Sequence, residues 1–174
     1  ALWLARVGRF RVAALDMPGT GESELALTSG ADEVYRGVAD GLREAHGGTA
    51  PVGMLGVSFG GHWSAKLALT GALDAAVNLG GPVGVAEDTG IDLARLPNGM
   101  TGIVANAMRL DGPPDADQAR ALMRGFSLRP WLAAAGAGAS PAPLLVIDGA
   151  EDPYVPAADV EVFRSSAIPD ANPE

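Results

Sequence analysis

Gly56-Val57-Ser58-Phe59-Gly60 sets a serine between two glycines, after a short apolar run and ahead of a helical pattern. A G-x-S-x-G run in that context is the layout of a tight strand-to-helix corner. The corner forces the serine into a strained backbone conformation, and small residues two before and two after make room for it. Gly61 then lets the helix approach closely. Ser58 is expected to project past the C-terminal edge of a sheet as a nucleophile. The Phe59 N–H is expected to face an oxygen that becomes negative during acyl transfer, reinforced by the positive end of the helix. The competing reading is coincidence, since the bare pattern recurs easily in a chain with 24 glycines. The flanking elements favour the nucleophile.

A serine hydroxyl needs a base within hydrogen-bond reach, itself oriented by a carboxylate. The chain offers two histidines, His46 and His62. His62 lies one helical turn beyond Ser58, where the geometry for proton transfer is awkward, and packing is the favoured role. His46 closes a helix before Gly47, where an imidazole complements the helix dipole. Neither is the expected base.

The elements that must position Ser58 follow from the patterning. Residues 10 to 16 ("FRVAALD") read as a buried parallel strand, followed by the turn "MPGTGES" with Glu22 at its rim. Residues 31 to 46 carry Val34, Val38, Leu42 and Ala45 at helical spacing, with Gly47 as the stop. Strands are predicted over 52–58, 73–81 and 143–149, with helices over 59–71 and 156–167. Alternation of this kind predicts a parallel sheet with helices between its strands. Between 83 and 140 no strand is evident, and helical stretches are expected at 91–109, 116–125 and 128–135. Such an excursion reads as a cap over a site. Hence 1–82 and 141–174 are expected to form the sheet core and 83–140 the cap. Met100, Met108, Leu110, Met123, Phe126 and Trp131 are candidates to line a pocket, although at helical spacing such residues more often serve as plain core.

With 12 basic against 21 acidic residues the net charge is −9, which disfavours phosphate backbones and anionic lipid as partners. No nucleic acid or membrane partner is therefore expected, and no apolar stretch approaches the length of a membrane span. The absence of cysteine excludes disulfides and thiolate chemistry and is compatible with a cytoplasmic location. Two isolated histidines without cysteine offer no metal cluster, so no metal or cofactor is expected. A homodimer is compatible with the composition. The chain begins inside one predicted helix and stops just after another, so an internal portion of a longer polypeptide is expected.

"VAALDMPGTGES", "GMLGVSFGGHWSAKLAL", "AAVNLGGPV" and "LLVIDGAEDPYVP" resemble successive blocks of the α/β-hydrolase superfamily. The "DMPGTGES" wording and the excursion after "LGGPV" resemble a narrower branch. That branch holds the fermentation–respiration switch esterases and hydrolases that cleave esters or the C–C bond of β-diketone-like compounds. The resemblance implies an α/β-hydrolase fold, here a partial parallel sheet flanked by helices with a helical cap insertion. It implies a Ser-His-Asp triad acting on a small ester or acyl substrate, with the acid falling on Asp152 and Glu151 as second choice. Asp152 can also act as a turn former before Pro153. Asp148 is expected to brace the loop, and Asp16 to accept backbone N–H bonds in its turn. The histidine is then expected just beyond Glu174, and the second oxyanion donor before Ala1. On this basis the 174-residue chain itself is expected to be inactive. Other acyl chemistry such as thioester cleavage or acyl transfer, a non-catalytic binder, and a half that assembles with another chain are the rival readings.

Overall fold

A computed structural model describes residues 2–84, 92–137 and 141–165. The elements in chain order are α1 (Leu2–Arg6), α2 (Asp32–Ala45), β1 (Gly53–Val57), α3 (Phe59–Leu69), β2 (Ala75–Leu79), a 3₁₀ turn (Leu93–Arg95), α4 (Met100–Ala107), α5 (Ala116–Arg124), α6 (Arg129–Gly136), β3 (Leu144–Ile147) and α7 (Ala157–Ser165). The three strands form one parallel sheet in the order β1-β2-β3, with Gly56 opposite Asn78 and Leu79 opposite Ile147. No helix among the described residues is long and apolar enough to cross a membrane.

α3 is the centre of the molecule. Every residue from Gly61 to Leu69 is buried, as expected of a helix without a polar face. It lies on the face of the sheet that presents Gly56, Ala76 and Asn78, all buried. Two glycines permit that contact. A Cβ on Gly56 would fall inside the Gly60 carbonyl, and one on Gly61 would collide with the Asn78 side chain. Asn78, wholly buried, is satisfied by Gly81, accepting its N–H at 2.7 Å and donating to its carbonyl at 3.1 Å. Around α3, Trp63 and Leu67 join Tyr35 and Ala39 of α2, Ala107 of α4, and Met123 and Phe126 in one cluster. A second cluster sets Ala65 and Leu69 against Leu128, Leu132 and Ala135. The helices between the second and third strands therefore share the core of α3.

α2 starts with Asp32 and Glu33 in its first turn and stops at Gly47 and Gly48, both with positive φ, the arrangement that suits the helix dipole and a left-handed exit. Its buried residues are Asp32, Tyr35 and Ala39, so the core stripe is rotated from the expected Val34 and Val38. Tyr35 stacks on Trp63 with ring centroids 6.0 Å apart. Lys66 is buried beside Asp32, with Nζ 2.8 Å from its Oδ1, and sits over the Trp131 ring.

One expectation fails. Residues 10 to 16 form no strand and carry no regular secondary structure. Phe10, Val12 and Leu15 are exposed, and residues 11 to 16 join no backbone hydrogen bond among the described residues. A strand exists only by its ladder. Here the segment borders a large cavity that β1 also lines, and no neighbour among the described residues supplies the bonds. The opposite face of the sheet is also uncovered: Leu55, Val57, Leu79, Leu145 and Ile147 are all exposed. Parallel sheets ordinarily bury both faces.

The expected helix over 91–109 is interrupted. A 3₁₀ turn covers Leu93–Arg95, capped by the Asp92 side chain on the Ala94 N–H, and α4 starts only at Met100. Residue 91 lies outside the described residues, as do residues 166 and 167 of the expected last helix. α5 matches its expected span closely and opens with a capping box between Asp115 and Gln118.

Candidate active site

Strand β1 delivers the chain to Ser58 and α3 takes it away. Ser58 has φ 54° and ψ −128°, a region in which an L residue is strained by roughly 1–3 kcal/mol. Two backbone bonds hold it there: its N–H donates to the Leu79 carbonyl at 2.8 Å, and its carbonyl accepts the Gly61 N–H at 2.7 Å. The residue is exposed on the cavity, and its hydroxyl has no hydrogen-bond partner among the described residues. Phe59 is the first residue of α3, so its N–H is one of those a helix leaves without an internal acceptor.

Asp152 stands at the same end of the sheet, in the loop after β3. Its Oδ1 accepts the N–H groups of Tyr154 and Val155 at 2.7 and 3.0 Å, an Asx turn of the kind that fixes a loop before a helix. This leaves Oδ2 uncommitted. A Cβ on Gly80 would stand 3.8 Å from that oxygen, and Gly80 directly follows Leu79, whose carbonyl holds the Ser58 N–H. Ser58 and Asp152 are thus gathered around the end of β2, and both line the one cavity. Glu151 is exposed and lines none of it.

Asp148, at the end of β3, also borders the cavity. Both of its carboxylate oxygens are buried without a hydrogen-bond partner. Burial raises its carboxyl above the ordinary range. The Gly149 N–H lies near enough to offset part of this without reaching hydrogen-bond geometry, and the negative Asp152 and Asp159 push upward as well. Asp16 takes the turn role expected of it, with Oδ2 accepting the Glu22 N–H at 3.0 Å.

His62 is buried among Phe59, Trp63 and Phe126, with Nδ1 3.0 Å from the Pro82 carbonyl. A carbonyl only accepts, so Nδ1 carries the proton. Burial pulls the imidazole down to about 4, and it stands neutral in the core, outside the cavity lining. His46 places Nδ1 2.8 Å from the Leu42 carbonyl at the end of α2. Among the described residues no group of three or more His, Cys, Asp or Glu side chains is arranged to hold a metal ion.

Of the six residues expected to line a pocket, Met100 and Met123 do so; Met108, Leu110, Phe126 and Trp131 do not. Leu93, Leu96, Ile103 and Val104 line it without having been singled out. Their spacing along two short elements separated by Pro97 carries no single helical stripe that would have marked them.

A sequence model of the family described as alpha/beta hydrolase fold matches residues 4–123. Among solved structures, the chain is similar to AbyA5, with TM-score 0.72 and 21% identity over 98% of this chain and 49% of that one. It is also similar to AbyA5 Wildtype, with TM-score 0.71 and 22% identity over 97% of this chain and 46% of that one. The chain therefore spans about half the length of the solved structures it matches. No curated protein matches it.

Proposed function

The chain belongs to the α/β-hydrolase fold family, and on that premise we propose that it carries the nucleophile and acid of a serine hydrolase for a small ester or related acyl substrate. The single observation that carries this reading is Ser58, strained at φ 54° with an unbonded hydroxyl on the cavity. Stored backbone strain at an exposed nucleophile is what a catalytic corner needs and what a structural serine does not.

In the proposed reaction a histidine base takes the Ser58 proton as Oγ attacks the substrate carbonyl carbon. The tetrahedral oxyanion is held by the Phe59 N–H at the positive end of α3. Collapse breaks the bond to the leaving group, which departs with the proton from the imidazolium. Water, deprotonated by the same histidine, then cleaves the acyl-serine and restores the free hydroxyl. Asp152 orients that histidine through Oδ2. The histidine belongs to polypeptide beyond these 174 residues, because His62 is committed to Pro82 and His46 to the end of α2. The uncovered sheet face and the unpaired segment 10–16 support further polypeptide around this core. Leu93, Leu96, Met100, Ile103 and Val104 present an apolar wall to the cavity, which suits an uncharged acyl group. The narrower resemblance, to esterases and β-diketone hydrolases, belongs to this proposal too.

A fluorophosphonate probe and a panel of ester, thioester and β-diketone substrates test it. The 174-residue chain is expected to be inactive, and a longer polypeptide containing it to be labelled and active, both lost in Ser58→Ala. Ester hydrolysis by the 174-residue chain that Ser58→Ala abolishes would overturn the external base. Absence of labelling in the longer polypeptide would overturn the nucleophile.

A further inference from the structure

Asn98 and Tyr154 lie 56 residues apart in the chain, yet the Asn98 side-chain amide donates to the Tyr154 hydroxyl oxygen at 2.8 Å. Asn98 belongs to the stretch between β2 and β3, and Tyr154 to the loop after β3. From Tyr154 the connection continues along the backbone. Its N–H is held by Asp152 Oδ1 at 2.7 Å, with the Val155 N–H on the same oxygen at 3.0 Å. Two hydrogen bonds therefore lead from Asn98 through one tyrosine to the loop carboxylate. Asn98 itself sits in the bend that enters α4. The Met100 N–H donates to the Pro97 carbonyl at 3.0 Å, and Asn98 and Gly99 take positive φ of 55° and 73°. Leu96 and Met100, on either side of that bend, line the cavity, as do Tyr154 and Asp152.

Packing and stability do not account for the pair. Asn98 is exposed, and a hydrogen bond open to water contributes little to the fold. Glycine serves a left-handed bend as well and carries no amide; asparagine tolerates the conformation and adds one. Phenylalanine would fill the space of Tyr154 without its hydroxyl. Together the two polar ends fix a distance between the apolar wall of the cavity and the loop of the carboxylate. We propose that Asn98 and Tyr154 are positioning residues that tie this wall to the Asp152 loop, so that the groups seating the acyl part and the group orienting the base are held in one register. A catalytic group displaced by about 1 Å loses on the order of 10²-fold in rate. A link too weak to stabilise the fold therefore still matters to the reaction. The inference rests on reading Asp152 as the acid, and its first test uses neither Ser58 nor turnover.

Amide hydrogen exchange of the 174-residue chain, read by NMR, follows the Tyr154 and Val155 N–H groups that Asp152 holds. Tyr154→Phe and Asn98→Gly cut the link from its two ends while keeping the ring and the bend. Each is expected to speed exchange at these two amides by about two- to tenfold, the span of one net hydrogen bond, and by more than at the amides of α3. The double variant is expected to exchange no faster than either single one. Asn98→Asp, whose carboxylate accepts the tyrosine O–H instead, is expected to restore the parent rate. Unchanged exchange in Tyr154→Phe, additive effects in the double variant, or equal acceleration throughout the chain overturns the proposal. In the longer polypeptide the two single variants are expected to lower kcat with KM little changed, and Asn98→Asp to recover it. A rise in KM with kcat unchanged refutes the positioning role. Failed probe labelling of that polypeptide would remove the hydrolase reading and leave the exchange results as they stand.

Discussion

Replacing Ser58 by glycine and by alanine separates the strain at the corner from the hydroxyl it displays. Both variants lose the oxygen, so both lose any labelling. Their stabilities are expected to differ. At φ 54° and ψ −128° a Cβ costs roughly 1–3 kcal/mol, and alanine keeps that cost while glycine removes it. Glycine gives part of this back through the greater freedom of its unfolded chain, about 0.5–1 kcal/mol. The net expectation is Ser58→Gly more stable than Ser58→Ala by about 1 kcal/mol. For a chain of this length that is a rise in melting temperature of roughly 2–4 °C. Urea denaturation followed by circular dichroism measures the gap without using turnover. A Ser58→Ala chain as stable as Ser58→Gly, or more so, would mean that the corner holds no strain for the nucleophile to exploit.

The remaining expectations rest on single partners. His62 is neutral in the fold with its affinity for protons lowered to about 4, so the unfolded chain gains the proton first as pH falls. Stability is expected to be intact above the ordinary histidine value and to fall by about 3 kcal/mol as pH drops toward 4. Denaturant titrations at several pH values read that slope, and His62→Gln should flatten it. Lys66→Met strips the buried Asp32 of its nearest cation and is expected to cost about 3 kcal/mol, most of it regained when Asp32 is made leucine as well; a double-mutant cycle in urea checks both. Asp115→Ala removes the capping box of α5 at a cost of about 1 kcal/mol in the same assay. Gly56→Ala places a methyl inside the Gly60 carbonyl and is expected to leave no folded chain in a thermal melt.

What the sequence revealed well was local. The corner at Ser58 needs only small residues at fixed offsets and a change of periodicity, and both lie within eleven consecutive residues. The strands at 53–57, 75–79 and 144–147 fall inside their expected spans for the same reason. Asp152 reached its place through resemblance, and its Asx turn shows that turn former and loop carboxylate are compatible roles for one residue. Asp148 was expected to brace its loop; its oxygens have no hydrogen-bond partner among the described residues and it borders the cavity, a placement that no spacing along the chain records. The stripe of α2 is shifted: Val34 is exposed and Val38 borders the cavity, while Tyr35 and Ala39 are buried and Tyr35 meets Trp63 of α3.

Residues 10 to 16 mark where local reading stops. Their apolar run is as strand-like as that of β1, yet one forms a ladder and the other does not. The difference lies in what stands beside each. β1 has β2 on one side; the segment 10–16 borders the cavity that β1 also lines, and its residues 11–16 have no backbone hydrogen bond among the described residues. Apolar alternation reports how a segment would pack once paired, and pairing is decided by another segment. The same argument covers the second face of the sheet. Leu55, Val57, Leu79, Leu145 and Ile147 occupy the positions that alternate with the α3 face, and they are as apolar as those buried beneath α3. A strand that faced water on one side would carry polar residues there. Both faces are written for burial and one is buried, which is the physical reason to look outside these 174 residues for the elements that complete the sheet, and with them for the base that Ser58 requires.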